Sequence, residues 1–348
     1  MSLHLDAMRF SFMCRPPRPP SRGRRVAIVG AGIAGLTVAG YLACRGVDVV
    51  VFERLEEAGG LLLHVIPELR VSHRRVLAGI EELENAMGVE IRRRVRVCGG
   101  EAPELEESGF ERETIDLRDL VQEFDAVVIA TGTWRTRRLG IPGEEAEGVY
   151  TALGFLFRMK RYRLEESTEP PPIQLAGRRV AVIGGDIMAL DVAMEAIYEG
   201  AREVLLLYEG TARECPVGLY AIRSLETRGV RMVELVKPVE IIVEDGRARG
   251  LELVKLNPRT REPIEGSRFS IDVDVVINAS SVEPTPPVEP GYLGIEVDEQ
   301  GRIMVDENHR TGNPKVFACG DVVLGPSKLG YAVRDALYTA RAVDEFLG

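Results

Sequence analysis

The sequence predicts a three-layer α/β fold in which a second βαβ unit is inserted into a first. Three observations carry this. Residues 24–54, RRVAIVGAGIAGLTVAGYLACRGVDVVVFER, run from a β-branched stretch through a glycine turn into an Ala-rich helical stretch closed by Gly46, then into a second apolar strand. Residues 178–209, RRVAVIGGDIMALDVAMEAIYEGAREVLLLYE, repeat that order and are closed by Gly200. Two further buried-strand patterns ending in turns, EFDAVVIATG at 123–132 and KVFACGD at 315–321, lie on either side of the second copy, which makes it the insert.

At 348 residues, of which 45% are hydrophobic, the chain is long enough for two domains and a large core. Its 54 acidic residues against 44 lysines and arginines leave a formal net charge of −10, which argues against a nucleic-acid partner. The basic stretch RPPRPPSRGRR at 15–25 sits in a Pro-rich segment without apolar periodicity. Residues 1–23 read as a disordered arm, or as a start placed upstream of Met8 or Met13. No apolar run reaches the roughly 18 residues of a membrane span and no signal-peptide core is visible, so the expected location is the cytoplasm. Cys14, Cys44, Cys98, Cys215 and Cys319 are widely separated, without a CxxC pair or metal-ligand spacing. No metal site is expected, and redox chemistry must come from a bound cofactor. Cys44 and Cys319 read as small core residues. The excess of arginine over lysine fits a thermophile or a GC-rich genome equally well.

The first copy is complete. Gly30 allows the tight turn, Gly32 lets backbone approach a pyrophosphate at the helix N-terminus, and Gly35 permits close packing of helix on strand. Glu53 ends the next strand about 20 residues on, where a carboxylate accepts hydrogen bonds from ribose hydroxyls. Gly59-Gly60 follows, and VSHRRVLAGIEELENAMG reads as an amphipathic helix stopped at Gly88. YAVRDALYTARAVDEFL forms the closing helix. Short alternating strands are expected at 231–236, 239–243 and 249–256. Arg92-Arg93-Arg94 reads as a solvated strand face, and the acidic run at 101–113 as an exposed loop, with docking of a partner subunit as the other reading.

The order GAGIAG, acid, GG, ATG, second dinucleotide motif and GD resembles the two-dinucleotide-binding-domain flavoproteins, and among them the small-subunit family of glutamate synthase. Local strings extend the resemblance from Arg24 to Leu347: GGLLLHVIPELR, GTWRTRRLGIPGEEAEGVYTALGFL and KVFACGDVVLGPS. It implies an FAD-binding Rossmann-like domain at 24–145 and 275–348, and an inserted Rossmann-like NAD(P)-type domain at 146–274. Pyrophosphate would lie at Gly30, Gly32 and Gly35 and adenosine ribose on Glu53, with Ile33, Ala34 and Arg54 among the other FAD contacts. Further FAD contacts are implied at Gly60, Leu61, Arg70, Val95, Ala130, Thr131, Gly132, Gly320 and Asp321. No side chain is expected to be catalytic, because the flavin carries the chemistry. His64 and His73 fall near the expected flavin edge, where a packing role stands beside proton delivery.

In that family the inserted domain presents NADPH to the flavin, and this sequence departs from the pattern. The second nucleotide would meet Gly184, Gly185, Asp186, Ile187 and Glu209, and Asp186 stands where the repeat has Gly32. A carboxylate there repels a pyrophosphate and can cap the helix amides itself, although a remodelled turn that still takes NADH is equally open. The family's Tyr-Arg-Arg-Thr is Tyr208-Glu209-Gly210-Thr211 here, and its Ala-x-Gly-Gln-x-x-Pro-like crossover is Ala279-Ser280-Ser281-Val282-Glu283-Pro284. Loss of two arginines predicts NADH over NADPH, with Glu209 either on the ribose hydroxyls as Glu53 is for FAD, or solvated. Two functions follow as expectations. One is an FAD-dependent oxidoreductase subunit passing electrons from NADH through flavin to a partner subunit that carries iron–sulfur centres or a second flavin. The other is an FAD-holding electron-transfer or scaffold subunit whose NAD-type site binds an adenine nucleotide, or has been lost.

Overall fold

The computed structural model describes Phe12 and residues 17–103, 105–164 and 171–348; the rest of the expected arm at 1–23 lies outside the described residues. The chain forms two compact units, one comprising everything up to Arg135 and from Glu283 onward, the other Thr136–Val282.

The first unit is built on a five-stranded parallel sheet in the order Val316–Ala318, Ala126–Ile129, Arg25–Val29, Asp48–Phe52, Glu90–Arg92. Both faces are covered, as a parallel sheet requires, so its strands read as continuous apolar runs. Alternate residues serve opposite cores: Val26 and Ile28 pack with Leu36, Ala39, Ala336 and Val343 of the helices Ile33–Ala43 and Leu329–Leu347. Ala27 and Val29 point the other way, toward Leu117, Leu120 and Phe124. The helix His73–Asn85 buries Val76, Ile80 and Leu83, the i, i+4, i+7 face its pattern predicts.

Part of the expected arm is docked. Phe12 is buried in the first core against Gly40, where any Cβ would strike its carbonyl. The Arg18 guanidinium binds Asp48, and Arg22 pairs with Asp344 at 2.7 Å. Apolar burial of a single residue, invisible to periodicity, outweighs the Pro-rich composition here. Cys44, expected as a plain core residue, is disulfide-bonded. Cys319 is fully buried, and burial raises its thiol pKa.

The second unit carries its own parallel sheet, Val230–Glu234, Glu203–Tyr208, Arg179–Ile183, Val275–Asn278, Val149–Thr151, together with an antiparallel sheet of Val236–Glu244, Arg247–Lys255 and Phe269–Asp272. The expected borders at 145/146 and 274/275 fall inside this unit. The Ile241 amide donates to Pro142 O at 2.9 Å and the Asn278 side chain to Arg137 O at 2.8 Å, which ties both flanks to the inserted sheets.

Backbone register superposes the two copies. The Gly30 amide donates to Phe52 O at 2.8 Å, and Gly184 to Leu207 O at 3.0 Å; Ala130 donates to Val29 O and Ala279 to Ile183 O, both at 2.8 Å. Glu53 therefore corresponds to Tyr208, Arg54 to Glu209, and Gly132 to Ser281.

Candidate cofactor sites

At the carboxyl ends of the first sheet lies a cleft of about 1060 Å³. It gathers Gly30, Gly32, Ile33, Ala34, Glu53, Arg54, Gly60, Leu61, Val95, Ala130, Thr131, Gly132 and Asp321, thirteen residues drawn from six separate stretches of sequence. Parallel α/β sheets open a crevice at this end, because the loops leave the strands in diverging directions. Gly30 turns the chain at φ +101°, and a Cβ on it would sit 2.6 Å from Ala130 O. Gly32 is different: its backbone is extended, and a Cβ on it would meet nothing within 4 Å, so it faces the open cleft. Gly35 does not line the cleft. A Cβ there would fall on the Gly30 carbonyl oxygen, so it sets the approach of helix to turn.

Glu53 is buried, 5% exposed, and both its oxygens are engaged. One accepts the Ala31 amide at 2.8 Å and the other the Leu55 amide at 2.9 Å. Each carboxylate oxygen retains a second lone pair for a ligand hydroxyl. Arg54 lies over the Trp134 ring at 4.6 Å and donates through Nη1 to Glu107 O at 2.6 Å, while its Nη2 is buried without an acceptor. Burial pushes this guanidinium's pKa down, opposed chiefly by Glu53. Asp321 accepts the Ser327 hydroxyl at 2.5 Å; burial raises its pKa, with Ser327 pulling it back. Gly320 is next to the cleft rather than on it, and its amide is held by Asp335 at 2.7 Å. Burial raises the Asp335 carboxyl, against the pull of the Gly320 amide and His309.

Arg70 does not line the cleft: the turn after Pro67 leaves it exposed. His64 and His73 are absent from the lining as well, and His64 Nε2 lies 2.9 Å from Glu57 O. The acidic run at 101–113 is not simply an exposed loop, since Ala102, Pro103 and Leu105 wall the cleft beside Arg54. Its apolar residues were outnumbered by glutamates in the sequence, and only folding shows which side they face. Trp134, Thr285 and Ser327 also line the cleft and were not expected. Trp134 carried a signal, as the chain's single tryptophan two residues beyond Gly132. The Arg92–Arg94 face is ion-paired rather than simply solvated: Arg93 binds Glu84 at 2.7 Å and Arg94 binds Glu56 at 2.6 Å.

The second unit has a cleft of about 1110 Å³ at the equivalent place, lined among others by Gly184, Gly185, Glu209, Ser280 and Ser281. Asp186 caps the helix Ile187–Tyr198, accepting the Ala189 amide at 3.0 Å, and neither Asp186 nor the exposed Ile187 is on the lining. Burial raises the Asp186 pKa, against hydrogen bonds from Ala189 and Met188. Glu209 is not the counterpart of Glu53. Register gives that position to Tyr208, whose ring lies against Gly185, where a Cβ would strike it. Glu209 is more than half exposed and 4.0 Å from Lys237 Nζ.

Among the described residues no cluster of three or more His, Cys, Asp or Glu could hold a metal ion, and no helix is long and apolar enough to cross a membrane.

Residues 24–336 match the family of pyridine nucleotide-disulphide oxidoreductases. The chain is 32% identical over 340 residues to the putative oxidoreductase AegA of Escherichia coli K12, covering 93% of this chain and 49% of that protein. The NADPH glutamate synthase small chain of the same organism is 30% identical over 340 residues, with 93% and 69% covered. The NADP(+)-dependent formate dehydrogenase subunit beta of Moorella thermoacetica is 35% identical over 334 residues, with 93% and 44% covered. The chain thus spans from under half to about two thirds of these relatives. Among solved structures, Mycobacterium tuberculosis FprA in complex with NADPH superposes with a TM-score of 0.73 at 18% identity, covering 96% of this chain and 85% of that one. The thioredoxin reductase of T. acidophilum superposes with 0.66 at 22% identity, covering 93% and 100%.

Proposed function

The chain belongs to the pyridine nucleotide-disulphide oxidoreductase family and is an FAD-dependent oxidoreductase, and on that premise we propose that its first unit holds FAD and passes electrons from NADH to an acceptor on a partner protein. The observation that carries the reading is the fit of the first cleft to a dinucleotide. Gly32 leaves open the space that any other residue would fill, at the start of a helix whose first amides have no helical acceptor. Arg54 brings a buried Nη2 that needs an acceptor to the same cleft. Gly30, Gly32 and the helix N-terminus would hold the pyrophosphate, Glu53 and Arg54 the adenosine side, and Asp321 with Ser327 the ribityl side. Bound there, FAD supplies the two-electron redox chemistry.

The chain's own residues set the conditions. Trp134, Ala102, Pro103 and Leu105 wall the Arg54 end, and Asp335 holds the Gly320 amide at the turn into Asp321. NADH is favoured over NADPH by Glu209, an anion where a 2′-phosphate would require a cation. The relatives named small chain and subunit beta support a partner subunit; on this reading the partner carries iron–sulfur centres or a second flavin, and the two work in the cytoplasm.

A second reading is favoured by Asp186, whose carboxylate already occupies an amide that a pyrophosphate would use. On it the second unit holds an adenine nucleotide, or none, and the chain is an electron-transfer subunit. Anaerobic titration with NADH and then NADPH, followed at the oxidised-flavin band near about 450 nm, separates the two. Bleaching by NADH supports the first reading. Bleaching by dithionite alone supports the second.

A further inference from the structure

We infer that the ion pair between Glu214 and Arg261 is a specificity device in the second unit: Arg261 is a phosphate anchor brought to the ribose end of the cleft, and Glu214 keeps it occupied so that a 2′-phosphate is refused. The inference rests on the reading of the second unit as the pyridine-nucleotide site.

The strand Glu203–Tyr208 ends in Glu209-Gly210-Thr211, and the next residues fold back on it. Glu214 accepts the Thr211 amide at 2.9 Å and the Thr211 hydroxyl at 2.6 Å through one oxygen. Its other oxygen binds the Arg261 guanidinium. Arg261 arrives from far along the chain, on the loop after the strand Arg247–Lys255. That loop is self-supporting, since Asn257 O accepts the Arg261 amide at 2.9 Å and Asn257 Oδ1 accepts the Arg259 amide at 2.8 Å. Tyr208, Glu209, Glu214 and Arg261 all line the same cleft.

Two observations point to a ligand. Arg261 Nη1 is buried with no acceptor, so this guanidinium is only half satisfied by the protein. Both carboxylates that line the cleft here are ion-paired, Glu209 with Lys237 and Glu214 with Arg261. A 2′-phosphate adds about two negative charges beside Glu214 and must compete with it for the Arg261 guanidinium; a 2′-hydroxyl need not. Removing the charge of Glu214 while keeping its shape takes the carboxylate partner from Arg261 and leaves its guanidinium as a bidentate donor.

The test is calorimetric titration of the full FAD-loaded chain with NAD⁺ and NADP⁺, which needs no electron transfer. Wild type should bind NAD⁺ more tightly. Glu214→Gln should tighten NADP⁺ by at least about tenfold, the effect of one charge-assisted hydrogen bond, with NAD⁺ nearly unchanged. Glu214→Gln combined with Arg261→Gln should lose that gain. An equal gain in the double variant, or none in Glu214→Gln, overturns the inference while leaving the nucleotide site standing. If wild type binds neither nucleotide, the reading of the second unit falls, and the inference with it.

Discussion

Gly32→Ala separates folding from cofactor binding, because no atom of the protein fills the space next to Gly32. The added methyl meets no atom within 4 Å, and Gly32 sits at φ −76° and ψ −175°, which alanine adopts without strain. Alanine is the poorer helix N-cap by up to about 1 kcal/mol, but it restricts the unfolded chain in a way that stabilises by roughly 0.4–1 kcal/mol. These nearly cancel, so the apo-protein should unfold within about 0.5 kcal/mol of wild type. Binding should suffer far more. A methyl where the pyrophosphate approaches the helix amides removes at least one charge-assisted hydrogen bond, about 1.5–3 kcal/mol, or roughly ten- to more than a hundredfold in Kd. Trp134, the single tryptophan and a wall of the cleft, reports FAD titration by quenching of its fluorescence, with urea unfolding of the apo-protein as the companion measurement. An unchanged FAD affinity would refute the placement of the pyrophosphate at this turn. A large loss of stability would refute the claim that the space is empty.

Gly35→Ala should behave oppositely, costing about 2–4 kcal/mol of stability in denaturant unfolding, because its methyl would fall on the Gly30 carbonyl and force helix from turn. Glu53→Gln replaces one acceptor with an amide donor facing a backbone N–H, from Ala31 or Leu55, and should cost about 1–3 kcal/mol in chemical denaturation while weakening FAD in the fluorescence titration. Asp186 gives a pH signature. Its folded pKa is raised, so between the ordinary aspartate value of 3.8 and the folded value the native state binds more protons than the unfolded. Its contribution to stability is therefore greatest at low pH and falls as pH rises through that window. Asp186→Asn should flatten this descending component of Tm against pH above the ordinary aspartate value, and an unaltered profile would show that Asp186 is not buried as described.

How much could be read in advance follows from the range of the interactions. The two βαβ copies, the glycine turns and the helix His73–Asn85 were legible because periodicity and turn chemistry act over a few neighbouring residues. The open space at Gly32 and the close approach at Gly35 were legible too, since the spacing of the motif encodes both. Other features depend on parts of the chain that meet only after folding. The sequence leaves Glu209 open between the ribose hydroxyls and solvent, because only the hydrogen-bonded register of Leu207 against Gly184 shows that Tyr208 occupies the Glu53 position. Arg54 meets Glu107 across 53 residues, and Glu214 meets Arg261 across 47. Composition made the run at 101–113 look solvated, whereas the fold turns Ala102, Pro103 and Leu105 inward and makes them a wall. The sequence by itself determined two nucleotide-type units, one nested in the other, and a complete glycine turn in the first, since these are local patterns of side-chain period and backbone freedom. Tertiary structure alone decided which charges face each cleft and which of them are already spoken for, because a charge's partner is set by proximity in space, which sequence separation does not fix.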